Sequence, residues 1–201
     1  HHPELLDTLD IWEDSLAAYG ERILNYRLSY LEKLKNEVKD IYSGLSCGKE
    51  EIGLRYIQDE EKGALCEKKA ELLEVLKASR KTDMLTGTTS FGPHRDDISF
   101  YVGDKNLKLY GSQGQQRTAA LALKLAEIEL VRSKIKESPI LLLDDVLSEL
   151  DRNRQNYLLE NITDLQTMIT CTGLEEFIGD RKRYHTFFHV VNGKVFLEEK
   201  R

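Results

Sequence analysis

Two adjacent carboxylates end an apolar run in the last third of the chain. Residues 140–143 are all aliphatic, Asp144 and Asp145 follow, and Val146 begins the next segment. An unbroken aliphatic run is typical of a central parallel strand covered on both faces, and ligands of such sheets gather at the carboxyl ends of the strands. The pattern therefore predicts a site for a phosphate chain and its magnesium ion. The alternative is that one aspartate caps the next helix while the other is solvated.

A glycine-rich segment upstream favours the first interpretation. Residues 110–117 have the sequence Tyr-Gly-Ser-Gln-Gly-Gln-Gln-Arg, and residues 118–129 are rich in alanine and leucine. Glycine lets the backbone approach a ligand closely, and the free N–H groups at a helix start favour anions. Ser112 adds a hydroxyl donor. Alone, such a segment is more often a simple helix cap, but together with the strand that ends in two aspartates it indicates a nucleotide site.

The two segments resemble those of ATP-binding-cassette ATPases. Residues 112–115 resemble the signature loop, residues 141–145 the Walker B strand, and residues 148–151 the D-loop. More narrowly, residues 111–117, 121–127 and 141–151 are similar to the RecF family of bacterial recombination-repair proteins, as are residues 10–20 and 91–97. The resemblance covers nearly the whole chain. It implies an α/β fold, α+β overall, that forms the C-terminal half of an ABC-type ATPase cassette with a helical-hairpin arm.

The phosphate-binding loop of such ATPases is missing from this sequence. Nothing matches Gly-x-x-x-x-Gly-Lys-Ser/Thr, and the nearest segment, Gly44 to Glu50, has too few residues between its glycines and a glutamate in place of the hydroxyl. We interpret that segment as an ordinary turn. The family resemblance implies that the loop lies in an N-terminal half. We therefore expect this chain alone neither to bind ATP tightly nor to hydrolyse it.

The resemblance also implies roles for individual residues. Two copies of the complete protein would enclose two ATP molecules, and each ATP would contact the phosphate loop of one copy and the signature and D-loop of the other. The contacts across the dimer would come from Ser112, Gln113, Gly114, Gln115, Ser148 and Asp151.

The remaining implied roles belong to the strand ends. Asp144 would hold Mg²⁺, and Asp145 would be the catalytic residue that positions or deprotonates the attacking water. Most cassettes have glutamate at that position, so the shorter aspartate implies a slow ATPase. Thr170 or Thr172 would contact the γ-phosphate, where many cassettes carry a histidine.

For function, the resemblance implies an ATP-dependent DNA-binding clamp of recombinational gap repair. It would act as a cytoplasmic homodimer on duplex or gapped DNA and help to load RecA together with RecO and RecR. One alternative is another cassette ATPase of the Rad50 or structural-maintenance type. A second alternative is a non-enzymatic interaction module whose nucleotide motifs are relics.

Composition bounds these possibilities. The chain has 201 residues, 40% of them hydrophobic and 32% charged, which is enough for one core and a smaller lobe. No apolar stretch is long enough to span a membrane.

The net charge of −6 gives no basic footprint for DNA, so DNA binding rests on the resemblance alone. The basic cluster at residues 181–183 is either a solvated loop or a DNA contact. Cys47, Cys66 and Cys171 lack metal-ligand spacing and are predicted to be reduced thiols, and His1 and His2 are assigned no role.

The chain divides into a predicted helical arm, residues 1–85, and a cassette part, residues 86–201. Apolar residues at spacings of three and four predict one face of a long first helix: Trp12, Leu16, Tyr19, Ile23, Tyr26, Tyr30, Leu34, Val38 and Ile41. Residues 51–57 have strand character, and residues 60–81 are predicted to form a second, antiparallel helix.

In the cassette part, we expect a hairpin of residues 97–102 and 107–110, the signature helix, the strand that ends in Asp144 and Asp145, a helix at residues 152–161 and a strand at 166–171. The chain is predicted to end in a second hairpin that turns at Asn192 and Gly193.

A polar cluster at residues 91–97 has no assigned role. It has the sequence Phe-Gly-Pro-His-Arg-Asp-Asp. His94 and Asp96 could form a general-acid pair, because histidine titrates near neutral pH. The other interpretation is a connector in which Arg95 forms salt bridges with its acidic neighbours.

Overall fold

An antiparallel pair of helices forms the first part of the computed structural model, which describes residues 8–58, 65–172 and 186–197. Helix α1 is Leu9–Leu45 and helix α2 is Lys69–Thr86. Arg80 near the end of α2 donates to Glu13 near the start of α1, at 2.7 Å from Nε to Oε1. The antiparallel arrangement was predicted. The predicted bounds of the second helix were wrong, because residues 65–68 are not helical and the helix continues to Thr86, where Gly87 in the left-handed region ends it.

The predicted apolar face of α1 is not the face that packs along the first half of the helix. Trp12 and Tyr26 are 63% and 74% exposed, and the other predicted positions from 16 to 30 are also exposed. The buried residues here are Glu13, Ala17, Gly20 and Leu24, one position away from that stripe. The reason is the small side chains: a Cβ at Gly20 would lie 3.3 Å from Leu72 Cδ1, so α2 packs closely on this side.

The second half of α1 belongs to the main hydrophobic core. Leu31, Leu34, Val38, Tyr42 and Leu45 are buried there, together with residues of the signature helix, the strand that follows it and the next helix. A smaller cluster joins α1 and α2 through Ala17, Leu72, Leu76 and Phe91. Helix α1 thus contributes to both clusters, on either side of the predicted division at residues 85 and 86, which stays a prediction.

Three antiparallel strands connect the helical pair to the signature segment. They are β1 (Ile52–Ile57), β2 (Asp97–Val102) and β3 (Lys105–Asn106), and β1 pairs with β2 from Ile52 opposite Val102 to Ile57 opposite Asp97. The predicted strand at residues 107–110 was wrong, since Leu107–Tyr110 is a short helix, α3. The Asn106 side chain caps it by accepting from the Lys108 backbone N–H at 2.9 Å, which competes with strand pairing.

The cassette part then alternates helix and strand. Helix α4 is Gln113–Ile135, β4 is Leu141–Asp144, a 3₁₀ turn covers Val146–Glu149, α5 is Arg152–Asn161 and β5 is Thr167–Thr170. Strands β4 and β5 are parallel, and Asp144 lies opposite Thr170. The order confirms the predicted mixed helix and strand fold. One face of this small sheet is open, because Leu142 and Met168 are exposed.

The predicted closing hairpin is present. Strands β6 (Phe188–Val191) and β7 (Lys194–Leu197) pair antiparallel around Asn192 and Gly193. Both turn residues have positive φ, as a two-residue turn of this type requires. The basic cluster at residues 181–183 and the histidines at the start lie outside the described residues.

All three cysteines are free thiols. Among the described helices, none combines the length and the apolar character that crossing a membrane would need.

Candidate functional site

The predicted signature loop is a capped helix start. Ser112 is the N-cap of α4: its Oγ accepts from the Gln115 backbone N–H at 3.2 Å, and Gln115 Oε1 accepts from the Ser112 N–H at 2.9 Å. This reciprocal pair is a capping box. It leaves the first-turn N–H groups of Gln113 and Gly114 without intrahelical acceptors. Because Ser112 Oγ only accepts here, its own proton is available to a ligand. An exposed cluster of donors with a helix dipole behind it suits an anion.

The segment before the cap has no room for a larger residue. A Cβ at Gly111 would lie 2.5 Å from the Leu107 carbonyl oxygen, so glycine is required there. Gln116 Nε2 donates to that same oxygen at 2.9 Å. Thr118, which is fully buried, donates from Oγ1 to the Gly114 carbonyl at 2.6 Å. These hydrogen bonds fix the loop, while Ser112 and Gln113 stay exposed.

The segment that we interpreted as an ordinary turn contacts this loop. Glu50 Oε1 accepts from Gln115 Nε2 at 2.7 Å, and Glu50 Oε2 accepts from the Tyr42 hydroxyl at 2.8 Å. Burial, and then the hydrogen bond to Glu50, raise the pKa of Tyr42. The turn itself was predicted correctly, since residues 46–48 follow the end of α1. Sequence reasoning missed the contact between Glu50 and Gln115, for which the sequence holds no signal because 65 residues separate them.

The predicted D-loop begins helix α5. Asp151 is the N-cap and accepts from the backbone N–H groups of Asn153 and Arg154, both at 3.1 Å. The buried Gln155 side chain donates to the carbonyls of Leu147 and Leu150, which fixes the loop from inside. Ser148 is exposed, and its Oγ donates to the Asp145 carbonyl at 2.8 Å. The side chains of Ser148, Asp151 and Gln155 thus hold the loop through hydrogen bonds to its backbone.

An ion pair joins the signature helix to the segment after β4. Arg117 Nη2 lies 3.2 Å from Glu149 Oε1, and both side chains are about half exposed. Exposed pairs of this kind add little stability. The contact nevertheless places the predicted signature and D-loop elements side by side within one chain.

The two carboxylates lie at the carboxyl end of β4, as predicted. Both Asp144 and Asp145 are exposed. The hydroxyl of Thr170 donates to Asp144 Oδ1, and the Asp145 backbone N–H donates to the Thr170 carbonyl and hydroxyl oxygens, each at 3.1 Å. Thr170 thus fixes both residues from the neighbouring strand. Thr172 is exposed and lies two residues beyond the end of β5.

The backbone of Asp145 adopts an unusual conformation. Its φ is 52° and its ψ is 18°, in the left-handed region. Non-glycine residues seldom adopt this region, although aspartate does so more readily than most. Strain of this kind concentrates at functional sites, where the surrounding structure maintains it. Cys171 lies close enough that burial, and secondarily the Asp145 charge, raise the pKa of its thiol.

The donor set fits Mg²⁺. Carboxylate oxygens are the ligands that this ion prefers, and it commonly takes one or two carboxylates and completes its shell with water and phosphate oxygens. Within residues 8–58, 65–172 and 186–197, no cluster of three or more His, Cys, Asp or Glu side chains could form an all-protein cage. Thr170 occupies one oxygen of Asp144, and the exposed position of the residue leaves the other accessible.

The polar cluster at residues 91–97 connects several elements. Asp96 Oδ2 accepts from the Tyr56 hydroxyl at 2.6 Å, and Arg27 of α1 donates to the same hydroxyl at 3.1 Å. Asp96 Oδ1 is buried and has no hydrogen-bond partner among the residues that the structure describes, and burial raises the pKa of this carboxyl.

The contacts of His94 and Asp96 decide between a general-acid pair and a structural connector. His94 Nε2 lies 3.0 Å from the Thr89 carbonyl oxygen, and Arg95 also contacts that carbonyl. The Asp96 carboxylate instead contacts the Tyr56 hydroxyl. The geometry therefore favours a connector over a general-acid pair. Arg27 of α1 donates directly to the Pro93 carbonyl of the cluster, and it also reaches Asp96 through the Tyr56 hydroxyl. Among the described residues, these contacts and not the predicted Arg95 salt bridges link the cluster to α1.

Comparisons with known proteins point to one family. The chain is 48% identical to the DNA replication and repair protein RecF of Lachnospira eligens over 195 residues, which are 97% of this chain and 52% of that protein. It is 47% identical to the protein of the same name from Agathobacter rectalis, with the same coverage. No protein-family model matches the chain.

Solved structures agree. The chain superposes on the structure of the recombination mediator protein RecF-ATP in the RecFOR pathway with a TM-score of 0.79 and 36% identity, over 96% of this chain and 51% of that one. A second structure, of RecF with an ATP analogue, gives a TM-score of 0.75 and 34% identity. The chain thus spans about half the length of the relatives and structures that it matches.

Proposed function

Because the chain is homologous to the RecF proteins along 97% of its length, we propose that it forms the signature and Walker B part of a RecF-type, ATP-switched DNA-repair protein. A complete protein of this kind would close as a homodimer around two ATP molecules and hold duplex or gapped DNA in the cytoplasm. It would act with RecO and RecR to help load RecA.

The main observation behind this proposal is that the same part of the fold has two polar ends, the start of α4 and the carboxyl end of β4. The capped start of α4 presents Ser112 and the N–H groups of Gln113 and Gly114, while the carboxyl end of β4 presents Asp144 and Asp145. Donors suited to phosphate and carboxylates suited to Mg²⁺ are the complementary contacts that phosphoryl transfer needs. A relic interaction module would have no reason to retain both.

Each polar end has its own task. Across the dimer, the Ser112 hydroxyl and the N–H groups of Gln113 and Gly114 would donate to the γ-phosphate, with Gln115 holding the cap and Ser148 and Asp151 shaping the facing loop. Asp144 would hold Mg²⁺, and Thr170 would keep its carboxylate oriented. Bound Mg²⁺ would neutralise charge that develops on phosphate oxygens.

Asp145 would position the attacking water and accept its proton. Aspartate is one methylene shorter than the glutamate that most cassettes use, so its reach to the water is reduced and turnover is slow. Thr170 is engaged with Asp144 and Asp145, so Thr172 is the freer of the two candidates for a γ-phosphate contact.

We keep the division into a helical arm at residues 1–85 and a cassette part at residues 86–201. The end of α1 packs into the cassette core, so the arm is anchored through its own long helix. This arrangement would let the arm report on the state of the signature loop.

The test compares the isolated chain with a full-length RecF-type protein that contains it. We expect the isolated chain to show no ATP binding in the micromolar range by calorimetry, because it has no loop or lysine to grip the β- and γ-phosphates. The full-length protein should bind ATP and dimerise on gapped DNA in analytical ultracentrifugation. Micromolar ATP binding by the isolated, tag-free chain would contradict the idea that it supplies only the opposing half of the site.

A further inference from the structure

We propose that Glu50 is a positioning residue of the signature loop, which fixes the orientation of the Gln115 amide and thereby connects helix α1 to Ser112. This inference rests on the function proposed above and adds a residue from the helical arm to the ATP-dependent dimer contact. No nucleotide-binding motif includes Glu50, and in the sequence it lies in a segment that does not match the phosphate loop.

The Gln115 amide holds two partners at once. Its Oε1 accepts from the Ser112 N–H at 2.9 Å, and its Nε2 donates to Glu50 Oε1 at 2.7 Å. The two ends of an amide are not equivalent: one only accepts and the other only donates. A carboxylate only accepts. Glu50 therefore requires the Nε2 end, and this choice directs Oε1 towards the Ser112 N–H.

Glu50 is itself anchored in the core. Its Oε2 accepts from the hydroxyl of Tyr42, a residue of α1 that is 1% exposed. The hydroxyl of the buried Ser46 lies between the Ser43 and Glu50 carbonyl oxygens, at 3.3 and 3.4 Å, and its proton is shared between them. Because burial raises the pKa of Tyr42, its hydroxyl remains a donor across the physiological range. Each carboxylate oxygen thus has a fixed donor, one from the core and one from the signature loop.

The orientation of the Gln115 amide determines how the Ser112 hydroxyl is hydrogen-bonded. With the Ser112 N–H held by Gln115 Oε1, the Gln115 N–H is directed at Ser112 Oγ at 3.2 Å. The oxygen is then an acceptor within the loop, and its proton is left for the ligand. A flipped amide would place two donors, Nε2 and the Ser112 N–H, against each other and would open the cap. A movement of α1 near Tyr42 would reach Ser112 by the same contacts.

The test is a charge reversal with a rescue, in the full-length protein. Glu50→Lys offers a donor where Gln115 needs an acceptor, so the amide should flip and the cap should open. We expect ATP-dependent dimerisation to weaken about tenfold or more, as for the loss of a hydrogen bond to a charged group, while ATP affinity of the monomer stays within about twofold. Adding Gln115→Glu should close the cap again, because the carboxylate introduced at position 115 accepts from both the ammonium introduced at position 50 and the Ser112 N–H; this rescue is read from hydrogen exchange and not from dimerisation, since position 115 lies beside the ATP contact.

The matched control is Glu51→Lys, which makes the same charge change one residue later. Glu51 is exposed and pairs with Lys39 of α1 rather than with the signature loop. Hydrogen exchange of the peptide that covers residues 107–118 provides a readout that does not depend on ATP. Exchange there should rise in Glu50→Lys, return in the double variant and stay unchanged in Glu51→Lys.

The outcomes separate the two proposals. If the wild type does not dimerise with ATP, the proposed function is wrong, and the exchange data still decide whether Glu50 orders the loop. If the wild type dimerises and Glu50→Lys does so equally well with unchanged exchange, the role of Glu50 is wrong while the proposed function stands. If Gln115→Glu failed to restore protection from exchange at residues 107–118 in a folded Glu50→Lys protein, the amide argument would also be overturned.

Discussion

The two polar ends of the candidate site are held in place in different ways. Three side-chain hydrogen bonds brace the signature end: Gln115 donates to Glu50, Gln116 to the Leu107 carbonyl and Thr118 to the Gly114 carbonyl. Its backbone is relaxed, with Ser112 at φ −65°. The carboxylate end is held from the side by Thr170, and Asp145 at its tip has φ 52°.

The difference matches the separate roles proposed for the two ends. A donor cluster that meets a ligand bound mainly by another copy must keep one geometry, so it is braced by many hydrogen bonds. A carboxylate pair that must meet water and a cation is exposed, and one of its two residues, Asp145, has a strained backbone.

The largest expected effect is at the signature end. Ser112→Arg in the full-length protein places a bulky cation where the γ-phosphate of the opposing site would lie, so ATP-dependent dimerisation should be abolished while ATP binding by each monomer survives. Analytical ultracentrifugation and calorimetry would measure the two properties. Ser133→Arg, at the exposed far end of the same helix, should dimerise normally. If Ser112→Arg dimerised with ATP as the wild type does, Ser112 would not be a contact across the dimer.

The next effect separates the two carboxylates. Asp145→Asn keeps size and polarity but removes the charge that accepts a proton, so steady-state hydrolysis should fall by about 10²–10⁴-fold, while the ATP-bound dimer forms and persists on DNA. Asp144→Asn should instead weaken Mg-ATP binding itself. Asp164→Asn, an exposed aspartate in the loop before β5, is the control. Equal loss of Mg-ATP affinity in both aspartate variants would show that the assigned roles are wrong.

A smaller effect is expected at Thr170, the partner of Asp144 on the neighbouring strand. Thr170→Val removes the hydroxyl that orients Asp144, and the loss of such an outer partner commonly costs about tenfold or more in metal affinity. Titration of Mg²⁺ at saturating ATP should therefore show a higher midpoint. The control is Thr167→Val, which removes a hydroxyl at the start of the same strand that donates to the Leu165 carbonyl. An unchanged midpoint in Thr170→Val would mean that Thr170 does not position Asp144.

The smallest effect is a change in stability, which tests the strain at Asp145. Asp145→Gly should raise the free energy of unfolding by about 1 kcal/mol or less, because glycine adopts the left-handed region without steric cost, and it should abolish hydrolysis. Lys136→Gly is the matched comparison, since Lys136 has φ 63° at the end of α4 and no proposed role. It should stabilise the fold by a similar amount and leave hydrolysis intact. Urea denaturation would measure the free energy of unfolding of both variants, and a steady-state ATPase assay would measure their hydrolysis. A destabilised Asp145→Gly protein would show that the strain at Asp145 is smaller than the stability lost through the added flexibility of glycine in the unfolded chain.

Local features of this protein could be predicted because they depend on neighbouring residues. The cap at Ser112, the strand that ends in Asp144, the helix that starts after Asp151 and the turn at Asn192 and Gly193 each follow from residue types within a few positions. The short helix at residues 107–110 is the local exception. There a single side-chain cap from Asn106 outweighed strand-like apolar residues.

The helical period of α1, the cap at Ser112 and the resemblance to RecF-type proteins can be read from consecutive residues alone. The packing of elements was needed to show that the small-residue side of α1 lies on α2 while Trp12 and Tyr26 stay exposed. It also decided that Glu50 meets Gln115 across 65 residues and that Thr170 holds both carboxylates. The physical reason is that such contacts depend on how whole elements pack, and the pattern of any one element is compatible with several packings.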